Sequence, residues 1–307
     1  MEKKFISTNM KIFMLVLLLL SITFYASGCI VLVQSGYKLS DYADELNIDP
    51  NNFKVTFFDF NDFNFNDSYI SRDYTINENI NEIDLNLNSQ DIKIVNYDGQ
   101  DLKVQIKSHS TISSELLEAE NDNKLVLNTS HDTPSNASIS VSIPSRFHDK
   151  GTLKIITSSG NINISNLSMN TLNLSTASGE INISNLNLNY LSLNSSSGSI
   201  NFNAITTLNE TKLTSSSGSI IGSGALGTVN GSTSSGDIEL KFKDSLSNTS
   251  LSTASGSVAL SIPKNLGYKI NYDTISGNLD SSHTQLSSGD ESSLINITTT
   301  SGDLHIK

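Results

Sequence analysis

The chain has 307 residues, of which 53 are Ser and 36 are Asn, with 16% charged residues and a formal net charge of −12. So little charge excludes a charge-driven disordered tail, and the scarcity of Ala, Glu and Lys excludes a helical bundle or coiled coil. A hydrophobic content of 36% allows a core only if the apolar residues are regularly placed.

Charge is unevenly spread. Residues 1–33 carry Lys3, Lys4 and Lys11 against Glu2, a net +2, which leaves −14 for the rest. An acidic exterior repels phosphate backbones, so no nucleic-acid partner is expected. The single cysteine, Cys29, excludes an internal disulfide framework and a cysteine-rich zinc site.

Residues 1–11 form a short basic stub. From Ile12 to Val33 the chain then runs 22 residues without a charge. At about 1.5 Å per residue such a helix spans the ~30 Å hydrocarbon core of a bilayer. The lysines precede it, so the positive-inside rule places residues 1–11 in the cytoplasm and the bulk of the chain outside. Ala26-Ser27-Gly28-Cys29 resembles a lipobox, which makes Cys29 the candidate lipidation site. Bulky Tyr25 and the apolar continuation Ile30-Val31-Leu32-Val33 favour an uncleaved signal anchor instead. Either outcome leaves the chain membrane-attached and extracytoplasmic.

Residues 34–79 read as a polar and aromatic tether. Phe53, Phe57, Phe58, Phe60, Phe63 and Phe65 are half of all twelve phenylalanines. Their alternation with Asp and Asn has the period of a strand. A strand or layer that closes the open end of the following domain is expected here, because exposed solenoid ends need capping.

From residue 80 to residue 307 the alternation persists. Ile83-Leu85-Leu87, Ile92-Ile94, Leu102-Val104-Ile106, Leu125-Leu127 and Ile139-Val141-Ile143 are short strand signals between Asn, Asp, Gly and Ser. The only break is Glu115–Glu120, which reads as one helical turn or a loop insertion.

An internal repeat then dominates. A Ser-Gly pair recurs with glycines at Gly160, Gly179, Gly198, Gly218, Gly236, Gly256, Gly277 and Gly302, at gaps of 19, 19, 20, 18, 20, 21 and 25 residues. Alternating apolar pairs stand on both sides of each, such as Leu172-Leu174 before Gly179 and Ile181-Ile183 after it. Each unit is therefore strand, glycine corner, strand, and a connection through Asn-Leu (Asn166-Leu167, Asn185-Leu186). Glycine is expected at these structural corners for a positive φ or a tight backbone.

One such coil buries too few apolar side chains to offset the entropy of ordering about 20 residues. Stacked coils fold because each strand pairs with its equivalents at ~4.8 Å. The predicted fold is all-β: a parallel, right-handed β-helix or solenoid with 19–20-residue coils, preceded by the N-terminal transmembrane or signal helix. Eight coils rise roughly 40 Å, and stacked Ser, Thr and Asn form side-chain ladders.

The phrase Ile139-Ser-Val-Ser-Ile-Pro144, then Leu153–Gly160 and Asn161-Ile-Asn-Ile164, followed by repeated Ser-Gly-(Asp/Glu/Ser)-Ile units, resembles the bacterial putative-adhesin domain of unknown function. This is the toast-rack type of β-solenoid, which includes Lia-type envelope-stress accessory proteins. The resemblance covers residues 80–307 and implies a solenoid on the outer side of a bacterial membrane. It carries no catalytic motif.

Other chemistry is sparse. Gly222-Ser-Gly-Ala-Leu-Gly227 fits G-x-G-x-x-G, but it lies inside a coil, where a turn or bulge is expected rather than a dinucleotide site. His109, His131, His148, His283 and His305 have no metal-ligand spacing and are expected at the surface. Glu180, Asp237 and Asp303 each follow a corner glycine and so belong to one vertical row, either a cation-binding array or a solvated face.

No cofactor, metal or catalytic residue is expected. The favoured function is a non-enzymatic adhesin-like or envelope-stress interaction module, with envelope proteins or cell-wall glycans as partners. Two alternatives stand beside it. One is a polysaccharide-acting β-helix enzyme, which needs clustered carboxylates on one face. The other is a self-assembling scaffold, since the chain ends on a coil that would leave an unpaired edge.

Overall fold

The computed structural model describes residues 68–307 apart from 77, 109–111, 113–115, 122, 131–132, 148–149 and 281–285. The Ile12–Val33 segment, Cys29 and the Phe53–Phe65 cluster lie outside the described residues. The described strands form one open all-β sheet wound into stacked coils.

The repeat is most regular in three central coils, where the strands Ile162–Thr176, Ile181–Ser195 and Ile200–Ser215 each travel almost a full turn. The first two pair in parallel without a slip, Ile181 beside Ile162 through Ser195 beside Thr176. The spacing of 19 residues therefore maps each side chain onto its equivalent one rung away. Ile162, Leu172 and Leu174 are covered on one side by Ile181, Leu191 and Leu193 and on the other by Ile92, Leu153 and Ile155, and all nine are at most 2% exposed.

The Asn-Leu connection turns out to be a third paired side. Leu167 and Met169 stack on Leu186 and Leu188, all buried. Asn166 and Asn185 make the bend before it with φ of 55° and 59°. Asparagine tolerates this left-handed region because its short polar side chain satisfies local backbone groups. In the third coil the same bend falls on Ala204, at φ 52°. An L-residue with no such compensation is strained there, so Ala204→Gly should raise stability by about 0.5–1 kcal/mol in chemical denaturation.

Chain order and spatial order part company at both ends. On the C-terminal side the strand Thr249–Thr253 pairs with Ser293–Thr299, which pairs in turn with Tyr268–Thr274. Likewise Val258–Ser261 pairs with Leu304–Ile306, whose far side holds Leu279–Asp280. The final coil is thus interior, and the expectation of an unpaired edge at the C-terminus is corrected. The side chains explain the choice: Ile295, Ile297 and Leu304 are fully apolar and at most 1% exposed, whereas Tyr268 and Tyr272 tolerate the half-buried end position. The Tyr272 hydroxyl donates to the Gly302 carbonyl at 2.7 Å, tying the outer coil to the inner one.

The other end mirrors this. Glu82–Asn86 and Asp91–Tyr97 lie inside, and Lys124–Asn128 and Ser138–Pro144 lie outside them. Antiparallel strands then finish the stack. Leu102–Ser108 pairs with Ser138–Pro144, and Ser68–Tyr74 pairs with Leu102–Ser108. The segment read as a helical turn or a loop insertion instead contributes to the strand Leu117–Asn121, antiparallel to Lys124–Asn128. Its Leu116 neighbour is 2% exposed, so core burial overrides the local helical propensity of Glu-Leu-Leu-Glu.

Candidate functional site

The eight corner glycines form one column. Following space rather than sequence, the order is Gly160, Gly179, Gly198, Gly218, Gly236, Gly256, Gly302 and Gly277, beginning on Gln90. A Cβ at any of them would overlap the carbonyl of the preceding corner. None has a positive φ, so these glycines serve close backbone approach, the second of the two expected roles.

Sequence reading missed the residue three places earlier. Thr157, Thr176, Thr233, Thr253 and Thr274 each accept the corner glycine's N–H on Oγ1, at 2.9–3.2 Å. Their hydroxyls satisfy an amide that the tight turn removes from the ladder. Ser195 and Ser215 hold the same place, yet their buried hydroxyls have no partner. The β-branched Thr side chain fixes the rotamer that serine leaves free. Ser195→Thr should therefore stabilise the protein by about 1 kcal/mol, read as a shift of the denaturation midpoint.

Glu180, Asp237 and Asp303 do stand in one row, as their position after the glycine predicted. At Asp237 and Asp303 the row is structural. Asp237 Oδ1 accepts the N–H of Ser257 at 2.8 Å, and Asp303 Oδ1 accepts that of Asn278 at 2.7 Å. Asp91 and Asn161 do the same for Asn161 and Glu180. Ser257 separates Asp237 from Asp303, roughly 10 Å along the stack. That distance is too great for a shared cation, and no metal-holding group occurs among the described residues.

One carboxylate pair was not anticipated. Glu82 and Asp84 point from the same strand toward Lys124, whose Nζ lies 3.2 Å and 2.5 Å from them. Lys154 Nζ is 3.7 Å from Asp84, whose side chain is 5% exposed. The hydrogen bond to Asp84 leads the groups that hold the Lys124 ammonium above its ordinary pKa, against a smaller opposing effect of burial. Both carboxylates are thus engaged in an ion cluster that clamps three neighbouring strands.

The G-x-G-x-x-G phrase lies in the strand Ile220–Ala225 and the turn after it. A Cβ at Gly222 would strike the Phe202 ring, so this glycine makes room for an aromatic in the neighbouring coil. Of the five histidines only His305 is described; it is partly exposed and lies 3.3 Å from Asp280.

Open grooves also occur among the described residues. One of about 340 Å³ follows the amide ladder Asn163–Asn182–Asn201, bounded by Lys93 and Ile221. One of about 310 Å³ lies on the third side of the central coils, between Ser168, Asn187, Asn189, Thr206 and Leu208. The third, of about 700 Å³, lies at the C-terminal end beside Lys269, Leu286 and Glu291. Amides, hydroxyls and aliphatic groups dominate their linings; the first adds Lys93 and the third Lys269 and Glu291, whereas the second holds no ionisable side chain.

Among solved structures the chain is similar to a putative adhesin from Bacteroides fragilis, at 16% identity and a TM-score of 0.51, over 78% of this chain and 97% of that one. A putative adhesin from Parabacteroides distasonis is similar at 15% identity and a TM-score of 0.50, with the same coverage. At such identity the likeness concerns the fold. No curated protein matches the sequence. Residues 80–307 match the Toastrack DUF4097 family, and the chain belongs to it.

Proposed function

We propose that this protein is a membrane-attached, extracytoplasmic, non-enzymatic contact module of the bacterial envelope, adhesin-like in its action. In this reading residues 1–11 are cytoplasmic, 12–33 form the signal anchor or, through Cys29, a lipid attachment, and 34–79 supply a tether and, with the strand Ser68–Tyr74, a cap for a right-handed solenoid at 80–307. The observation that carries it is the fate of the polar groups. Asp237 and Asp303 accept backbone amides, the Glu82–Asp84 pair binds lysines, and the central coils expose a periodic surface rich in amides and hydroxyls. Such a surface suits repeated weak contacts rather than bond cleavage. The two solved relatives named above carry adhesin descriptions, which agrees with this reading. The uncharged Ile12–Val33 run behind three lysines supports the orientation. No helix among the described residues is long and apolar enough to cross a membrane, and residues 12–33 lie outside them.

The test is a strain that lacks residues 80–307. We expect the intact protein to be digested by protease added to whole cells, and the deletion strain to adhere several-fold less to coated surfaces. Protection from protease together with unchanged adherence contradicts the reading.

A further inference from the structure

The central coils are nearly perfect repeats, so a departure from the repeat stands out. Between the second and third coils the register holds at Leu188 beside Thr207 and resumes at Tyr190 beside Glu210, one residue out of step. The extra residue explains why the gap from Gly198 to Gly218 is 20 rather than 19. Bulges of this kind re-aim side chains. Here the bulge leaves Leu208 71% exposed on the rim of the groove formed with Ser168, Asn187, Asn189 and Thr206. Tyr190, next in sequence to Asn189, is 46% exposed. Exposing a leucine and a tyrosine gains nothing for the fold.

The lining has a definite chemistry. It contains no ionisable side chain, although the chain outside residues 1–33 carries −14. Asn189 donates to Asn170 at 2.8 Å, which orients its amide and leaves a second N–H and further acceptor capacity for a ligand. Oriented amides and hydroxyls beside an aliphatic rim match the alternating polar edges and apolar faces of a pyranose, and the exposed Tyr190 ring stands outside the lining, one residue beyond Asn189. The groove crosses three rungs about 4.8 Å apart, close to the length of one sugar in an extended β-linked chain.

We propose that this groove binds an uncharged β-linked polysaccharide lying along the stack, with about one ring per coil. The inference rests on the contact-module reading and names its partner. Anionic polymers are disfavoured by the charge of the body, and no proton donor lines the groove to cleave the bound chain.

The test is calorimetric titration of the full-length protein in detergent micelles with cello- and chito-oligosaccharides, and with polygalacturonate as the anionic comparison. We expect saturable binding of at least one neutral oligomer and none of polygalacturonate. The Tyr190→Ser/Leu208→Ser variant should lose at least about tenfold in affinity while keeping its melting curve, because both side chains are exposed. Asn189→Ala should weaken binding as well, whereas Asn194→Ala on the pre-corner side should leave it unchanged. Absence of binding to both neutral oligomers, equal binding of polygalacturonate, or full affinity in the double variant overturns the proposal. Loss of adherence in the deletion strain without oligosaccharide binding would sink this inference alone, whereas unchanged adherence together with protection from protease would sink the reading beneath it.

Discussion

Gly198→Ala should destabilise the protein by more than about 4 kcal/mol, or prevent folding altogether. The added methyl would meet the Gly179 carbonyl, which is backbone held by ladders on both sides. Neither coil can yield without breaking the parallel register of the whole corner column. Gly231→Ala provides the comparison. Its Cβ would meet only Leu251 Cδ2, at 2.7 Å, and the end of a leucine side chain can rotate away. We expect that change to cost about 1–3 kcal/mol. Chemical denaturation of both full-length variants separates the two cases, and equal losses would contradict the close-approach role of the corner.

Removing residues 293–307 should have the second large effect. A chain end normally frays, and deleting it usually removes little. Here the deleted residues form the interior coil between 249–261 and 268–280. Ile295, Ile297 and Leu304 would be lost from the core, at about 1.5–3 kcal/mol each. The outer coil would lose both of its parallel partners. Hydrogen exchange should then show protection lost throughout 268–280 as well as at the newly exposed edge 249–261. Retained protection in 268–280 would mean that this coil docks elsewhere.

Most of the architecture was legible because a stack converts sequence period directly into spatial register. The glycine spacing, the flanking apolar pairs and the Asn-Leu step each found a place in the coils. What escaped notice was non-local. Nothing in the spacing says that the Gly302 coil precedes the Gly277 coil in space, although the gap of 25 residues and the half-polar Tyr268 and Tyr272 were signals. The Thr-x-x-Gly capping bond was hidden among so many serines and threonines that residue type alone carried little information. The carboxylate row was correctly placed, but its use was not. A free array and an engaged ladder have the same sequence, and only the hydrogen bonds to Ser257 and Asn278 distinguish them.

The candidate site was the least legible part, for a physical reason. Repetition makes every coil look alike, so only an irregularity can mark one of them. The extra residue at Leu208 is such a mark, yet in sequence it reads as a gap of 20 in a series that already varies from 18 to 25. Pairing was needed to show that this residue bulges outward at a groove rim.

The central claim is one continuous stack whose last coil lies inside its neighbour, and cross-linking tests it most directly. In a Cys29→Ser background, Ser250→Cys with Asn296→Cys places two thiols on directly paired residues of adjacent rungs. Ser250→Cys with Asn271→Cys places them two rungs apart, about 10 Å, beyond the reach of a disulfide. The account predicts rapid oxidation of the first pair and none of the second. Oxidation of the 250–271 pair in preference to the 250–296 pair would show coils stacked in sequence order and contradict it.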